Sequence, residues 1–228
     1  MAAMARILNL ETATTNCSVS ISNGNEVIRV KENNAMDYSH SEQLHIFIKE
    51  ALEEASLSFS DLDAIAVSKG PGSYTGLRIG VSAAKGLCFA LDLPLISVPT
   101  LESMARQVTA KEGEAIIPVL DARRMEVYSA VFGDDHQQIR ETRAEIIDDT
   151  SFGEFSTYKK VHIVGSGAQK CKEPLSYPNF HFDVSLVPSA REMAAIAFAK
   201  YKAKQFEDVA YFEPFYLKDF VLQTKKKN

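Results

Sequence analysis

One glycine-rich stretch restricts the fold of this 228-residue chain more than any other part of its sequence. Residues 69–80 read KGPGSYTGLRIG and follow the short apolar run of residues 63–68. Glycines on both sides of the proline allow a sharp reversal after a buried strand, because glycine tolerates positive φ. Ser73 or Thr75 can then cap a helix over residues 76–91. The stretch therefore predicts a strand, a tight turn and a helix.

The turn itself has two interpretations. It is a structural connection, or its free backbone N–H groups and the positive end of the helix dipole bind an anion. A nucleotide-binding P-loop would end in Gly-Lys-Ser or Gly-Lys-Thr. This loop ends in Thr75-Gly76-Leu77, so a P-loop is excluded.

The helix after the turn is apolar on nearly all sides, which predicts burial on several faces. Gly76, Gly80 and Ala84 recur every fourth residue and would let another helix approach closely. Residues 40–56 show the period of a second, amphipathic helix. Either both helices are buried within their own lobe, or one side packs against a partner chain. The candidate partner-interface residues are Leu44, Phe47, Tyr74, Leu77, Gly80, Val81 and Ala84.

A similar order of strands and helices occurs twice along the chain. Strands are expected at residues 6–11, 16–22, 25–31, 63–68 and 94–98, and again at 115–120, 125–132 and 160–165. The first three suggest an antiparallel meander. Three further helices are expected behind capping residues Thr100, Ser166 and Ser189. Residues 109–114 are polar and contain glycine, so we expect two lobes, residues 1–110 and 111–228.

The composition limits the range of functions. Hydrophobic residues make up 46% of the chain and charged residues 24%, as in ordinary globular proteins. The net charge of −5 argues against a chain that wraps RNA on its own, because phosphate contacts need clustered Lys and Arg. It is compatible with a subunit of an RNA-modifying complex. With no targeting signal and no apolar run of 18 residues, the expected location is the cytoplasm, away from membranes.

The remaining reactive side chains form no recognisable catalytic set. His40 and His45 lie about 140° apart around a helix, whereas zinc-binding helices use i, i+4 pairs. Residues 121–126 (DARRME) offer two carboxylates as an acid/base pair, two arginines for a phosphate, or simply a charged turn. Cys17, Cys88 and Cys171 form no C-x-x-C pair, and their odd number suits a reducing compartment. Cys17 and Cys88 lie in apolar runs, as small core residues do.

Taken together, these pieces resemble the TsaB (YeaZ) family. The resemblance rests on residues 7–12, 17–19, 63–67, 70–80 and 121–128, of which the glycine-rich run is the most specific. It covers about residues 6–130 well and the rest loosely. It implies an α/β, actin-like (ASKHA) fold of two lobes, each a mixed sheet with flanking helices.

The resemblance also implies a partner. TsaD is a paralogous catalytic subunit that transfers threonylcarbamoyl to the adenosine next to the anticodon of ANN-decoding tRNAs. A TsaB-like chain is its non-catalytic partner, and helices of the two proteins pack together as a bundle. A TsaE-like ATPase is a further partner, and tRNA is reached only through the complex. No cofactor is implied; a nucleotide at the complex interface and a homodimer of the free chain stay open.

The metal site of TsaD has no equivalent here. TsaD carries His-x-Glu-Gly-His just after the strand that follows the glycine-rich helix. In this chain Glu102 remains, but Thr100 and Met104 stand where the two histidines should be. We therefore expect no bound metal and no catalysis by this chain alone.

Two rival functions remain at this level. One is a stand-alone enzyme, either glycoprotease-like or an ASKHA phosphotransferase. A phosphotransferase needs phosphate-binding hairpins in both lobes, and only Glu11 with residues 12–15 offers one. The other rival is a self-associating scaffold, which fits the apolar helix equally well.

Overall fold

The computed structural model describes residues 4–34 and 40–218. The strands of the first half are β1 (Arg6–Glu11), β2 (Asn16–Asn23), β3 (Glu26–Asn34), β4 (Ala64–Gly70) and β5 (Leu95–Pro99). Its helices are α1 (His40–Glu54), α2 (Tyr74–Leu91) and α3 (Thr100–Ala105). The second half contains β6 (Glu114–Asp121), β7 (Glu126–Gly133), β8 (Gln138–Ile146), β9 (Lys160–Val164), α4 (Ala168–Cys171), β10 (Phe180–Asp183) and α5 (Ala190–Lys202).

The two halves have the same sheet topology. The first sheet has the order β3-β2-β1-β4-β5, and the second has the order β8-β7-β6-β9-β10 when read in the same direction. In each, three antiparallel strands are followed by two parallel ones. The predicted meander and the paired lobes are thus confirmed.

Strand β1 lies at the centre of its sheet, and both of its faces are buried. Leu8 and Leu10 lie in one core with Leu44 of α1 and Val81 of α2. Ile7 lies on the other face, in a core formed with α5. Successive strand residues alternate between faces, so a strand that is buried on both needs helices on both sides.

The helix that ends each half packs on the sheet of the other half. Leu101 and Met104 of α3 share a core with Ile116 of β6. Met193 of α5 shares a core with Ile7 of β1. This exchange ties the two lobes together through apolar burial.

The predicted division at residue 110 stays a prediction, and the exchange bears on where α5 belongs. That division assigns α5 to the second lobe, but α5 covers the first sheet. The chain after α5 stays there too, since the Glu207 N–H donates to the Leu95 carbonyl at 2.8 Å. An amphipathic sequence shows that a helix needs a partner surface, but not which sheet supplies it.

The structure contains all of the predicted strands, and it also contains β8 and β10, which the sequence did not predict. Of the three predicted helix caps, one is in place and two are not. Ser189 caps α5, as predicted, by accepting a hydrogen bond from the first turn. Thr100 is instead the first residue of α3, and α4 begins after Gly167 without a side-chain cap. Ser166 accepts from the backbone of a neighbouring strand end instead. In the described part of the chain, no helix has both the length and the apolar character needed to cross a bilayer.

Helix α2 lies very close to the turn between β1 and β2. A Cβ added at Gly76 would overlap the Thr12 carbonyl, and one added at Gly80 would overlap the Thr12 hydroxyl. The Ser73 N–H donates to the Ala13 carbonyl at 2.7 Å, and the Thr12 hydroxyl donates to the Gly76 carbonyl at 2.8 Å. The small-residue stripe of α2 therefore serves contact within the lobe.

Two glycines of α2 give a matched test of this contact. We expect Gly80→Ala to lower the free energy of unfolding by about 1–3 kcal/mol, because the new methyl group overlaps a buried hydroxyl. Gly86→Ala should raise it by up to about 1 kcal/mol, because alanine favours a helix and nothing lies within 4 Å of the added Cβ. Urea denaturation measures both, and equal effects would contradict the close contact at Gly80.

Candidate functional site

An open groove of about 700 Å³ runs along the outer side of α2, beside the start of α1. Its apolar part is formed by Ile79, Ala83 and Leu87, which are only partly buried by their own lobe. The polar or small residues that line it are Ser41, His45, Tyr74, Thr75, Arg78, Ser82 and Gly86. An apolar strip with a polar rim is the general form of a protein-binding surface.

The same two helices expose further large apolar side chains. Phe89 of α2 is 86% exposed and Ile46 of α1 is 54% exposed. Apolar area in water has a free-energy cost of about 25 cal/mol per Å² relative to burial. These side chains add to the apolar area on α1 and α2 that a partner could bury.

Most of the residues predicted for a partner interface face the core of their own lobe. Five are buried in the core of their own lobe: Leu44, Leu77, Gly80, Val81 and Ala84. Phe47 and Tyr74 are partly exposed, and Tyr74 lines the groove. The five buried residues are not available to a partner, because they cover the sheet. An interface on these helices stays a prediction.

Two N–H groups of the glycine-rich turn are bound within the chain. Ser73 N–H is bound by the Ala13 carbonyl, and Gly76 N–H is bound by the Ser73 hydroxyl at 3.3 Å. Gly70 has a φ of 107°, as a reversal after the strand requires. Gly72 is needed for a different reason, since an added Cβ would overlap Ala13. These contacts support the structural interpretation of the turn over anion binding.

A buried carboxyl group supports the same turn. Glu11 is fully buried at the end of β1. Its Oε1 accepts from Ala13 N–H at 2.6 Å and from the Ser68 hydroxyl at 2.8 Å. Its Oε2 is buried without a hydrogen-bond partner among the described residues. Burial raises the pKa of Glu11 to about 7, although the two hydrogen bonds oppose this rise.

The histidines and cysteines occupy structural positions. His40 is buried, and its Nε2 lies 2.6 Å from the Thr14 carbonyl, whereas His45 is exposed at the groove. Burial raises the pKa of the Cys17 thiol to about 11 and those of Cys88 and Cys171 to about 12. Thiols with raised pKa values hold little thiolate at neutral pH, as expected for core residues.

Residues 100–104 form the start of α3 and contact their own chain. Thr100 and Met104 are fully buried. Glu102 forms an ion pair with Arg106 at 3.7 Å. Within the described ranges, no three His, Cys, Asp or Glu side chains come together as a metal site would require.

The segment 121–126 forms the hairpin turn between β6 and β7. Asp121 accepts from Lys170 at 2.8 Å, and Glu126 forms an ion pair with Lys218. Arg123 and Arg124 occupy the turn with φ values of 71° and 48°. Because each carboxylate is paired with a lysine, the charged-turn interpretation is better supported than an acid/base pair.

Two sheets of the same topology, joined by exchanged helices, define a two-lobed α/β protein of the actin-like type. The family model described as TsaD, tRNA N6-adenosine threonylcarbamoyltransferase, matches residues 34–226. The chain is 32% identical to the tRNA threonylcarbamoyladenosine biosynthesis protein TsaB of Escherichia coli, over 96% of this chain and 97% of that protein. It is 28% identical to the protein of the same name from Haemophilus influenzae, over 96% of each.

Solved structures agree with these relatives. YeaZ from Pseudomonas aeruginosa has a TM-score of 0.80 and 25% identity over 94% of this chain and all of that one. A second structure, described as similar to peptidase YeaZ from the same organism, has a TM-score of 0.83 at the same identity and coverage. The chain belongs to the TsaB (YeaZ) family.

The buried Glu11 predicts a pH dependence of stability. Its folded pKa of about 7 lies above the usual value of 4.5, so the folded state holds a proton that the unfolded state has lost between these values. Stability from this proton is complete below about pH 4.5 and is lost as the pH rises through about 7. Relative to Glu11→Gln, the free energy of unfolding of the wild type should fall by about 3 kcal/mol over this window.

Glu11→Gln is the matched variant because it keeps the size of the side chain and cannot ionise. Any constant loss from its amide group does not affect the slope with pH. Urea denaturation between pH 4.5 and 8 measures the difference. Parallel pH profiles for the two proteins would contradict a neutral Glu11 in the folded state.

Proposed function

We propose that this chain is a non-catalytic subunit that binds and supports a TsaD-like transferase during synthesis of threonylcarbamoyladenosine in tRNA. The observation that carries the proposal is the apolar groove on the outer side of α1 and α2. The core beneath it is already complete, with Leu44 and Leu77 fully buried. The groove therefore has no remaining role in packing its own lobe, and a partner helix would bury it.

The comparisons support the choice of partner. Two relatives named for this biosynthesis match nearly the full length of the chain. The matching family model is that of TsaD itself, so chain and partner share their architecture. Two related lobes that present equivalent helix pairs can pack with near two-fold symmetry, which favours self-complementary surfaces.

The lack of catalysis is proposed from the residues that replace the metal ligands. Thr100 and Met104 are buried, and Glu102 pairs with Arg106. The net charge of −5 supports contact with tRNA through the complex, not by this chain alone. A TsaE-like ATPase is proposed as a further partner, and the cytoplasm as the location. A self-associating scaffold is the second candidate, because the exposed Phe89 would suit a second copy equally well.

A reconstitution experiment tests this function. Unmodified tRNA is incubated with threonylcarbamoyl-adenylate and either this chain, a TsaD-like subunit from the same organism, or both. Mass spectrometry of the nucleosides should show efficient modification only with both proteins. Modification by this chain alone would show that it is an enzyme, and equal modification with and without it would refute the supporting role.

Substitutions at Gly86 test whether the groove holds the partner. Gly86 lines the groove, and an added Cβ meets nothing within 4 Å in the free chain. Gly86→Leu should therefore fold normally and fill the groove. We expect it to weaken binding of the TsaD-like subunit by about 30-fold or more, since a clash at an interface centre costs about 2 kcal/mol or more.

Gly86→Ala is the matched control, because it adds only a methyl group at the same position. Titration calorimetry measures the affinities, and thermal melts of the free proteins confirm that both variants are folded. A folded Gly86→Leu protein that binds as tightly as the wild type would place the interface elsewhere.

A further inference from the structure

The segment after α5, residues 205–218, forms an extended strap across the first lobe, here called the C-terminal strap. Polar contacts attach it to the edge strand β5 and to helix α2. The Ser97 hydroxyl donates to Glu207 Oε1 at 2.5 Å. Lys85 of α2 donates to two strap carbonyls, those of Ala210 and Phe212, at 3.1 and 2.9 Å. These contacts hold the strap along α2.

The strap then reaches the end of the groove. Phe215 N–H donates to the Lys69 carbonyl at 2.7 Å, beside the glycine-rich turn. The next residue, Tyr216, places its ring 5.0 Å from that of Tyr74. Lys218 pairs with Glu126 of the second lobe. Tyr216 is thus fixed from both directions along the chain.

Arg78 is held in place between these two tyrosines. Its guanidinium carbon lies 4.2 Å from the centre of the Tyr74 ring, and its Nε donates to the Tyr216 hydroxyl at 3.2 Å. In residues 4–34 and 40–218, no carboxylate forms an ion pair with this guanidinium. Arg78 is exposed and lines the groove.

We propose that Arg78 is the specificity-determining residue of the groove, where it binds a carboxylate on the TsaD-like partner, and that the C-terminal strap positions it. This inference rests on the proposed function. A planar guanidinium binds a carboxylate through two parallel hydrogen bonds, which a lysine cannot do. Stacking and the Tyr216 contact fix its orientation before binding, so less conformational freedom is lost when the partner arrives.

A protein carboxylate fits this position better than an RNA phosphate. The strap beside Arg78 carries Glu207, Asp208 and Glu213, which would repel a polyanion. The groove next to it is apolar at Ile79 and Ala83. Arginine is among the side chains most often found to dominate the affinity between two proteins.

The test measures affinity for the purified TsaD-like subunit at low and high salt. Arg78→Met should weaken binding by about 10- to 100-fold and reduce its salt dependence, since one charge pair is lost. Arg78→Lys should bind between the wild type and Arg78→Met. Lys172→Met is the control, because Lys172 is an exposed lysine that follows α4 in the second lobe, away from α1 and α2. It should bind as the wild type does.

Tyr216→Phe distinguishes binding of a partner carboxylate by Arg78 from a role of Arg78 in holding the strap. It removes the hydroxyl that fixes Arg78 but keeps the charge and the ring, so we expect a loss of only about 3- to 10-fold. If Arg78 merely anchors the strap, Arg78→Met and Tyr216→Phe will lose affinity equally, and salt dependence will not change. That result, or wild-type affinity in Arg78→Met, would overturn the inference. If the wild-type chain itself does not bind, the proposed function fails instead.

Discussion

The shape of the first lobe depends on the contact between α2 and the turn that joins β1 to β2. Thr12 lies against Gly76 and Gly80, where no side chain would fit, and Ala13 accepts the first N–H of the helix turn. The hydroxyl of Thr12 bonds back to the helix, so the two elements are joined by hydrogen bonds as well as by packing. This contact fixes the rotation of α2 about its own axis.

The rotation of α2 decides which of its apolar residues remain available. With Gly76, Gly80 and Ala84 facing inward, Ile79, Ala83 and Leu87 lie on the neighbouring stripe of the helix, where their own lobe buries them only partly. Helix α2 is apolar on nearly all sides, so one side packs within its own lobe and another side remains available to a partner. Glu11 stabilises the contact between α2 and the β1–β2 turn, because it accepts hydrogen bonds from both Ala13 and Ser68 beneath the turn.

The sequence predicted the helices and strands well, but it did not predict well what each of them packs against. Period and turn chemistry located both helices of the groove, because these signals are local. They could not show which stripe of α2 faces the sheet, since Leu77 and Ile79 are equally apolar in the sequence. They also could not show that α5 covers the first sheet, because that choice depends on contacts about 180 residues away. In the sequence Arg78 is only one residue of the glycine-rich stretch. Its proposed role depends on Tyr216, which is far away along the chain but contacts Arg78 in the fold.

The turns that face each other in an actin-like enzyme to hold phosphates are here occupied by contacts within the chain. In the first lobe, Thr12 and Ala13 are bound to α2. In the second, Asp121 is bound by Lys170, and Glu126 by Lys218 of the strap. Groups that are already paired would have to break these bonds before binding a nucleotide, which would cost free energy. The outer face of α1 and α2 requires no such rearrangement, so binding of a partner there is the function that this arrangement favours.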